Sequence, residues 1–172
     1  MKLKTLKLDK SRHCRDDFEC GNESLNDYLK YQASQDIRKK LSICFVLTKR
    51  KNKRDKVIGY YTLSNFSISC EFIPDKFRKK FPKAYKSIPL TLLGRLAVDK
   101  SHSGQGLGKL LLMEALYRCF LATNKIASFG VVVDPAGDEA VQFYKKYDFI
   151  LIPDSGKMLL PMVIIDQLFK DF

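Results

Sequence analysis

The chain has 172 residues, of which 45% are hydrophobic, and its formal net charge is +12. This length fits one domain with a substantial core, and without a composition break or a Gly/Ser-rich linker we predict a single domain over residues 1–172. The five scattered cysteines form no Cys-x-x-Cys pair, which argues against a disulfide framework or a zinc site and suits a reducing cytoplasm. No apolar run approaches the roughly 20 residues of a membrane span, so we expect no membrane association.

The residue patterns predict an α/β fold. Asn22 or Ser24 is expected to cap the first helix, the charged stretch 49–56 to be a hairpin loop, and residues 74–86 to be irregular or briefly helical. Pro161 indicates an edge strand or a bulge. Apolar residues at helical spacing predict helices over residues 24–40, 107–119 and 139–147. Alternating or β-branched stretches predict strands over residues 2–8, 41–48, 57–70, 92–98, 129–133, 149–152 and 158–165.

A glycine-rich turn joins the apolar strand ending at Val98 and Asp99 to the helix beginning at Leu107. Its glycines permit positive φ and bring backbone N–H groups close to a ligand, where the following helix has its partial positive charge. The turn therefore predicts an anion site, although a purely structural connection is the alternative.

Two familiar phosphate loops do not fit this turn. A P-loop requires glycine where Ser103 stands and a hydroxyl residue where Leu110 stands. A dinucleotide fingerprint read from Gly104 requires glycine where Lys109 stands, and no complete strand-helix-strand cofactor domain precedes it. Nucleotide triphosphate hydrolysis and dinucleotide binding are both disfavoured.

The segment Ser103-Gly-Gln-Gly-Leu-Gly108 resembles motif A of the GCN5-related N-acetyltransferases (GNAT), whose Arg/Gln-x-x-Gly-x-Gly/Ala turn holds the pyrophosphate of acetyl-CoA. Ser103 replaces the usual Arg or Gln, which removes one side-chain contact to the pyrophosphate. The backbone N–H groups of the turn do not depend on that side chain. The resemblance implies the GNAT fold, a central mixed and mostly antiparallel sheet flanked by helices on both faces.

Further segments resemble the acetyltransferase toxins of bacterial toxin–antitoxin modules. They are Phe18-Glu-Cys-Gly-Asn-Glu-Ser-Leu-Asn-Asp-Tyr-Leu29, Gly59-Tyr-Tyr-Thr-Leu63, Leu93-Gly-Arg-Leu-Ala-Val98 and Phe143-Tyr-Lys-Lys-Tyr-Asp-Phe149. This resemblance implies acetyl transfer from acetyl-CoA to the α-amino group of aminoacyl-tRNA, which blocks translation. It also implies a ribbon-helix-helix-type antitoxin as partner and a homodimer.

The resemblance also implies roles for individual residues. Tyr144 matches the tyrosine that protonates the departing thiolate, and a phenol of pKa about 10 suits that task. The alternative is that Tyr144 is a core aromatic beside Phe143, Tyr147 and Phe149. Backbone groups are expected to hold acetyl-CoA along its acetyl and pantetheine arm at Leu96, Ala97 and Val98, and at its pyrophosphate at Ser103, Gly104, Gln105, Gly106, Leu107, Gly108 and Lys109. No metal is expected.

No residue stands out as a general base. The candidates are Asp99, Asp134, Asp138 and Glu139, and carboxylates in such positions are more often caps and turn residues. An α-amine has an unperturbed pKa near 8, whereas the pKa of a lysine side chain is near 10.4. An α-amine is therefore deprotonated more readily and depends less on a general base. The lack of a clear base therefore favours an α-amine acceptor. Asp148 replaces a glycine of the family segment, and aspartate tolerates the left-handed conformation expected there.

The positive charge is concentrated in clusters, which favours a polyanionic partner. Arg95 lies inside an apolar strand, so we expect a salt bridge, solvent or a ligand at its guanidinium. Point-charge contacts to the phosphates of tRNA are expected from Arg38, Lys79, Lys80, Lys83 and Arg95. Two alternatives stay open: a GNAT enzyme acting on a small amine, peptide or protein N-terminus, and a non-catalytic CoA- or nucleic-acid-binding module.

Overall fold

The structure is a computed structural model that describes residues 4–51 and 54–170, without the side chains of Lys51 and Arg54. Its strands are β1 (Leu6–Lys7), β2 (His13–Cys14), β3 (Ile43–Lys51), β4 (Arg54–Ser69), β5 (Ser87–Val98), β6 (Gly130–Val133), β7 (Ile150–Leu151) and β8 (Met158–Pro161). Its helices are α1 (Glu23–Asp27), α2 (Ala33–Lys39), α3 (Asp75–Arg78), α4 (Leu107–Ala122), α5 (Asp138–Lys145) and α6 (Met162–Phe169).

Within the described residues the strands form one mixed sheet. The order is β1-β3-β4-β5-β6-β8-β7, and β2 pairs with β4 outside this path. Pairing is parallel for β2 with β4 and for β5 with β6, and antiparallel for β1 with β3, β3 with β4, β6 with β8 and β7 with β8. The predicted mixed, mostly antiparallel sheet flanked by helices is confirmed.

The chain divides into two compact units, the first within residues 1–64 and 94–115. Aromatic side chains form the centre of its core. The Tyr60 ring packs edge-on against Phe18, with centroids 5.5 Å apart, and is stacked 6.3 Å from Tyr28. Gly59 allows β4 to pass close to α4, since a Cβ at Gly59 would lie 2.9 Å from Leu111 Cδ1.

The second unit lies within residues 65–93 and 116–172. Its core includes β6, all four of whose residues are buried, and apolar side chains such as Ile73 and Leu159. Gly130 permits the close pairing of β6 with β8, because a Cβ there would lie 2.5 Å from the carbonyl oxygen of Leu160. No helix in the described part of the chain has the length and apolar character that a bilayer crossing requires.

The first helical region confirms the predicted cap and end but contains an unpredicted irregularity. The Asn22 side chain accepts a hydrogen bond from the Leu25 N–H, and Lys40 ends the helix with a left-handed φ of 61°. Between α1 and α2 the backbone widens into a π-helix over Tyr28–Gln32. Such widened turns are often found at functional sites.

Three predicted boundaries are wrong or incomplete. In the charged stretch 49–56, residues 49–51 and 54–56 are strand, because the β3–β4 ladder continues to Lys51↔Arg54, and positions 52 and 53 lie outside the described residues. The last predicted strand stops at Pro161, where α6 begins, so Pro161 ends the strand instead of marking a bulge. The predicted strand 2–8 is reduced to Leu6–Lys7 within the described residues, and positions 2 and 3 lie outside them.

Candidate functional site

The glycine-rich turn before α4 has the geometry of an anion cradle. Gly104 and Gly106 both have φ of +74°, which favours glycine, and both are exposed. A Cβ at either position would meet no atom within 4 Å, so the space in front of the turn is open. The turn leads directly into the 16-residue helix α4, whose first N–H groups have no intrahelical acceptor. Backbone donors and the helix dipole therefore favour an anion here.

Ser103 adds no side-chain charge to the turn, so an anion there would rely on backbone groups. Ser103 is exposed and extended, with φ −62° and ψ 154°, and its N–H donates to the Lys100 carbonyl oxygen over 3.2 Å. Lys109 is exposed in the first turn of α4. Residues 103–109 thus place backbone N–H groups, three glycines and the Lys109 ammonium in one short, largely exposed segment, where an anion could contact them.

Strand β5 extends past its pairing with β6. The parallel register covers Thr91–Leu93, where β6 ends at Val133, and β5 continues to Val98. Leu96 and Val98 are half-buried and Ala97 is buried. The last residues of β5 therefore provide an extended backbone immediately before the cradle.

Asp99 is a structural acceptor and not the free base considered from the sequence. Its carboxylate is buried and accepts hydrogen bonds from the Ser101 Oγ–H at 2.5 Å, the Ser101 N–H at 3.0 Å and the Glu19 N–H at 3.2 Å. Burial acts to raise the pKa of Asp99, but the hydrogen bonds from Ser101 and Glu19 and the charge of Lys56 together outweigh it, so the pKa lies below its ordinary value. Asp99 therefore stays ionised and fully engaged.

The segment around Glu19 is joined to the residues that precede the cradle. The Lys100 N–H donates to the Glu19 carbonyl oxygen over 2.7 Å. The Glu19 carboxylate accepts from the Gly21 N–H at 2.7 Å and from the Asn26 amide at 2.8 Å, and Asn26 accepts from the Cys20 N–H. These hydrogen bonds fix the loop that leads into α1 against the end of β5. Sequence reasoning did not assign any role to Glu19 or Asn26.

Among residues 4–51 and 54–170, no carboxylate forms the salt bridge with Arg95 that was the expected alternative to ligand binding. Its guanidinium lies 3.5 Å from the centroid of the Tyr28 ring, a cation–π contact. The Tyr28 hydroxyl donates to Asp36 over 3.0 Å. Burial raises the pKa of Tyr28 to about 12, so this phenol stays protonated.

Tyr144 lies in the last turns of α5 and is 8% exposed. Its ring packs 5.2 Å from both Phe143 and Phe149, which agrees with the core role considered from the sequence. Burial raises the pKa of the Tyr144 hydroxyl above its ordinary value, so the proton is retained at neutral pH. Asp148, which follows α5, has φ of 63°, the left-handed conformation expected there.

Asp134 and His102 have ordinary partners, and the other two acidic candidates are exposed. Asp134 is ion-paired with Lys157 at 2.8 Å, whereas Asp138 and Glu139 lie exposed in the first turn of α5. His102 Nδ1 lies 2.9 Å from Ser101 Oγ. Among the described residues, no group of three or more His, Cys, Asp or Glu side chains has a metal-binding arrangement. The five cysteines are all free thiols.

The basic residues expected to contact tRNA lie in both units. In the first unit Arg38 is exposed near the end of α2 and Arg95 is half-buried. In the second unit Lys79, Lys80 and Lys83 are exposed in the connection between β4 and β5. All but Arg95 are therefore free to meet a polyanion as point charges.

The chain resembles known acetyltransferases and toxins. Residues 40–151 match the acetyltransferase (GNAT) domain. The chain is 35% identical over 143 residues to the tRNA-acetylating toxin of Mycobacterium tuberculosis (strain ATCC 25618 / H37Rv), with 83% of this chain and 82% of that protein covered.

Solved structures of two toxins are similar over nearly the whole chain. A tyrosine-to-phenylalanine mutant of KacT is 28% identical, with a TM-score of 0.90 and coverage of 98% of this chain and 100% of that one. AtaT complexed with acetyl-methionyl-tRNAfMet is 31% identical, with a TM-score of 0.88 and coverage of 98% and 99%. A tyrosine-to-phenylalanine mutant of AtaT, bound to the C-terminus of the antitoxin AtaR and acetyl-CoA, is 28% identical with a TM-score of 0.80 and the same coverage. Together with the cradle before α4, these likenesses establish that the chain belongs to the GNAT acetyltransferase family.

Proposed function

We propose that this protein is the toxin of a toxin–antitoxin module and that it transfers the acetyl group of acetyl-CoA to the α-amino group of aminoacyl-tRNA, which blocks translation. The observation that carries this proposal is its likeness to AtaT, a structure of which holds acetyl-methionyl-tRNAfMet. The net charge of +12 supports a polyanionic substrate, because a positive field concentrates nucleic acid and speeds its encounter.

Acetyl-CoA is proposed to bind along the end of β5 and the cradle. The backbone of Leu96, Ala97 and Val98 would hold the acetyl and pantetheine arm by strand-like hydrogen bonds. The backbone N–H groups of residues 103–109 would hold the pyrophosphate at the N-terminus of α4. Asp99 and Ser101 would keep the cradle in position, because their hydrogen bonds tie it to the Glu19 segment.

Tyr144 is proposed as the general acid. The amine nitrogen forms a bond to the acetyl carbonyl carbon, the carbon–sulfur bond breaks, and the thiolate takes the proton of the Tyr144 hydroxyl. An α-amine with a pKa near 8 is partly neutral and can attack without a protein base. The nitrogen then loses its proton to solvent, and the Tyr144 tyrosinate takes a proton back from solvent. A base is not required from Asp99 or Asp134, both of which are engaged by other groups. The support for Tyr144 is its match to the family segment, and burial, which raises its pKa, makes it a weaker acid than a free phenol.

The proposed partners follow from the toxin assignment. We propose a cognate antitoxin of the ribbon-helix-helix type, a homodimer, and action in the cytoplasm, where five free thiols would remain reduced. We also propose that residues 1–172 form one N-acetyltransferase domain, because β4, β5 and α4 each contain residues of both compact units.

The direct test is incubation of the purified protein with acetyl-CoA and a broad set of aminoacyl-tRNAs. We expect N-acetylated aminoacyl-tRNA together with one equivalent of free CoA. The Tyr144→Phe variant should lose at least about 100-fold in kcat, the range typical of general acid catalysis, while unfolding at the same urea concentration. Tyr147→Phe, which removes a hydroxyl from the same helical region, is the matched control and should keep its activity. Absence of product across all aminoacyl-tRNAs would refute the proposal.

Salt dependence separates this proposal from action on a small amine. If several phosphates are contacted, kcat/KM for charged tRNA should fall steeply as salt rises from 50 to 200 mM. A small amine or peptide acceptor should show little change. Release of CoA with any acceptor would exclude a non-catalytic binding module.

A further inference from the structure

The connection between β4 and β5 forms a basic surface on a fixed frame. Residues 70–86, called the basic connection below, contain six basic and two acidic residues. Phe77 and Phe81 hold it to the core of the second unit, with ring centroids 5.9 and 4.8 Å from that of Phe129. Ile73 is 2% exposed. The apolar side of the connection is therefore buried, and its cationic side is presented on a stable support.

Two of the six cations already have partners within the connection. Arg78 is ion-paired with Asp75 at 2.6 Å, and the Lys76 ammonium lies 4.9 Å from the centroid of the Phe77 ring. The remaining cations are the exposed residues Lys79, Lys80, Lys83 and Lys86. These four lysines give the surface its capacity for phosphate groups.

Tyr85 is an exposed aromatic residue among these lysines. Its side chain is 56% exposed, although the backbone around it is fixed. The Tyr85 N–H donates to the Pro82 carbonyl oxygen over 3.1 Å, and the Cys70 thiol donates to the Tyr85 carbonyl oxygen over 3.0 Å. The Cys70 N–H donates to the Lys86 carbonyl oxygen over 2.9 Å. The backbone that carries Tyr85 is therefore fixed, and the exposed ring does not fill the core.

We propose that Tyr85 stacks on an unpaired base at the 3′ end of the acceptor tRNA, with Lys83 and Lys86 contacting the phosphates on either side. Aromatic faces between cations are the means by which proteins hold single-stranded nucleic acid. The bases of a duplex are already stacked on their neighbours, so only unpaired nucleotides offer a face to Tyr85. The inference rests on the proposed function, since it identifies the part of the same substrate that this surface holds.

The test measures KM and kcat separately for Tyr85→Ala. Removal of one base–aromatic stack should raise KM for charged tRNA by roughly 5- to 150-fold. KM for acetyl-CoA and kcat at saturating tRNA should not change. Tyr85→Phe keeps the aromatic face and should behave like the wild type, whereas Tyr85→Leu should resemble Tyr85→Ala. Tyr31→Ala is the matched control, because Tyr31 is 70% exposed outside the basic connection and its loss should leave KM unchanged.

A binding measurement without catalysis gives a second readout. A single-stranded RNA hexamer ending in CCA should bind the wild type and Tyr85→Phe, and should bind Tyr85→Ala more weakly by the same factor as KM rises. A blunt RNA duplex of equal charge should bind the three proteins equally.

The outcomes separate the inference from the proposed function. If the wild type acetylates charged tRNA and Tyr85→Ala has the same KM and the same affinity for the hexamer, the stacking role is refuted while the proposed function stands. If Tyr85→Ala loses affinity for an acidic protein partner but not for tRNA, the surface serves that partner and the inference is also refuted. If the wild type acetylates no aminoacyl-tRNA, the proposed function fails, and weaker hexamer binding by Tyr85→Ala would still establish the stacking contact.

Discussion

Asp99→Asn tests whether one buried carboxylate holds the cradle in place. The substitution keeps the size and shape of the side chain and removes its charge and one acceptor oxygen. The carboxylate accepts three hydrogen bonds, two from Ser101 and one from the Glu19 N–H 80 residues away. An asparagine has one acceptor oxygen, so its NH₂ group must face at least one of these donors.

The expected loss of stability follows from this count. Hydrogen bonds to a charged acceptor are worth about 1.5–3 kcal/mol, and a buried donor left without an acceptor costs about 1–3 kcal/mol. We expect Asp99→Asn to lower the free energy of unfolding by about 2–3 kcal/mol at pH 7. With a urea m value of about 2 kcal/mol/M, the unfolding midpoint should fall by about 1–1.5 M. KM for acetyl-CoA should rise, because the cradle follows directly after Ser101.

The pH dependence has a defined sign. The pKa of Asp99 in the folded protein lies below the ordinary value of 3.8. The ionised carboxylate therefore adds to the free energy of unfolding above pH 3.8, and this stabilisation is lost as the pH falls through the folded pKa. The stability difference between wild type and Asp99→Asn should therefore be constant from pH 7 to about 5 and shrink below about 3.8. Asp17→Asn, an exposed acid of the same unit, is the control and should match the wild type. An unchanged urea midpoint at pH 7, or a difference that persists undiminished at pH 3, would refute the reasoning.

Four further substitutions at three positions test local backbone geometry. Gly106→Ala should cost about 1–2 kcal/mol in thermal unfolding, because φ is +74° without a steric clash, and should raise KM for acetyl-CoA. Gly130→Ala should cost more than about 2 kcal/mol, since its Cβ would lie 2.5 Å from the Leu160 carbonyl oxygen and 3.1 Å from Pro161 Cα. Asp148→Gly should be within about 0.5 kcal/mol of the wild type, whereas Asp148→Val should cost about 1–3 kcal/mol at φ of 63°. Urea midpoints of the four variants measure these effects. We assign backbone strain alone to Gly106→Ala and steric overlap to Gly130→Ala, and equal urea midpoints for these two variants would contradict that assignment.

The conformation of the glycine-rich turn could be predicted from the sequence because it depends on local residues. Positive φ at Gly104 and Gly106, and the helix that begins at Leu107, depend on residues within one short segment. The cap at Asn22 and the left-handed Asp148 are local in the same sense, and the structure agrees with both expectations.

The features that sequence reasoning missed depend on contacts between distant residues. The hydrogen bond from the Glu19 N–H to Asp99 could not be predicted, because Glu19 lies 80 positions earlier, whereas the hydrogen bonds from Ser101 are local. From the sequence we expected solvent, a carboxylate or a ligand at the Arg95 guanidinium. In the structure the guanidinium lies over the face of the Tyr28 ring. An aromatic ring has no periodicity or spacing that marks it as a cation acceptor, so this contact becomes apparent only after the π-helix has placed Tyr28 over β5.

The hairpin of β3 and β4 gives the clearest physical reason for a wrong boundary. Residues 49–56 are rich in charge, and Lys49 faces Lys56 directly, a pairing of like charges that destabilises a sheet. The ladder persists because Asp55 lies opposite Arg50 and is also ion-paired with Arg12 at 2.7 Å, which holds the pKa of Asp55 below its ordinary value. Strand β2 adds a parallel pairing at His13↔Asp55, so β4 is bonded along both edges at this point. A single acid and a distant two-residue strand thus extend a sheet that the charge pattern alone predicts to end.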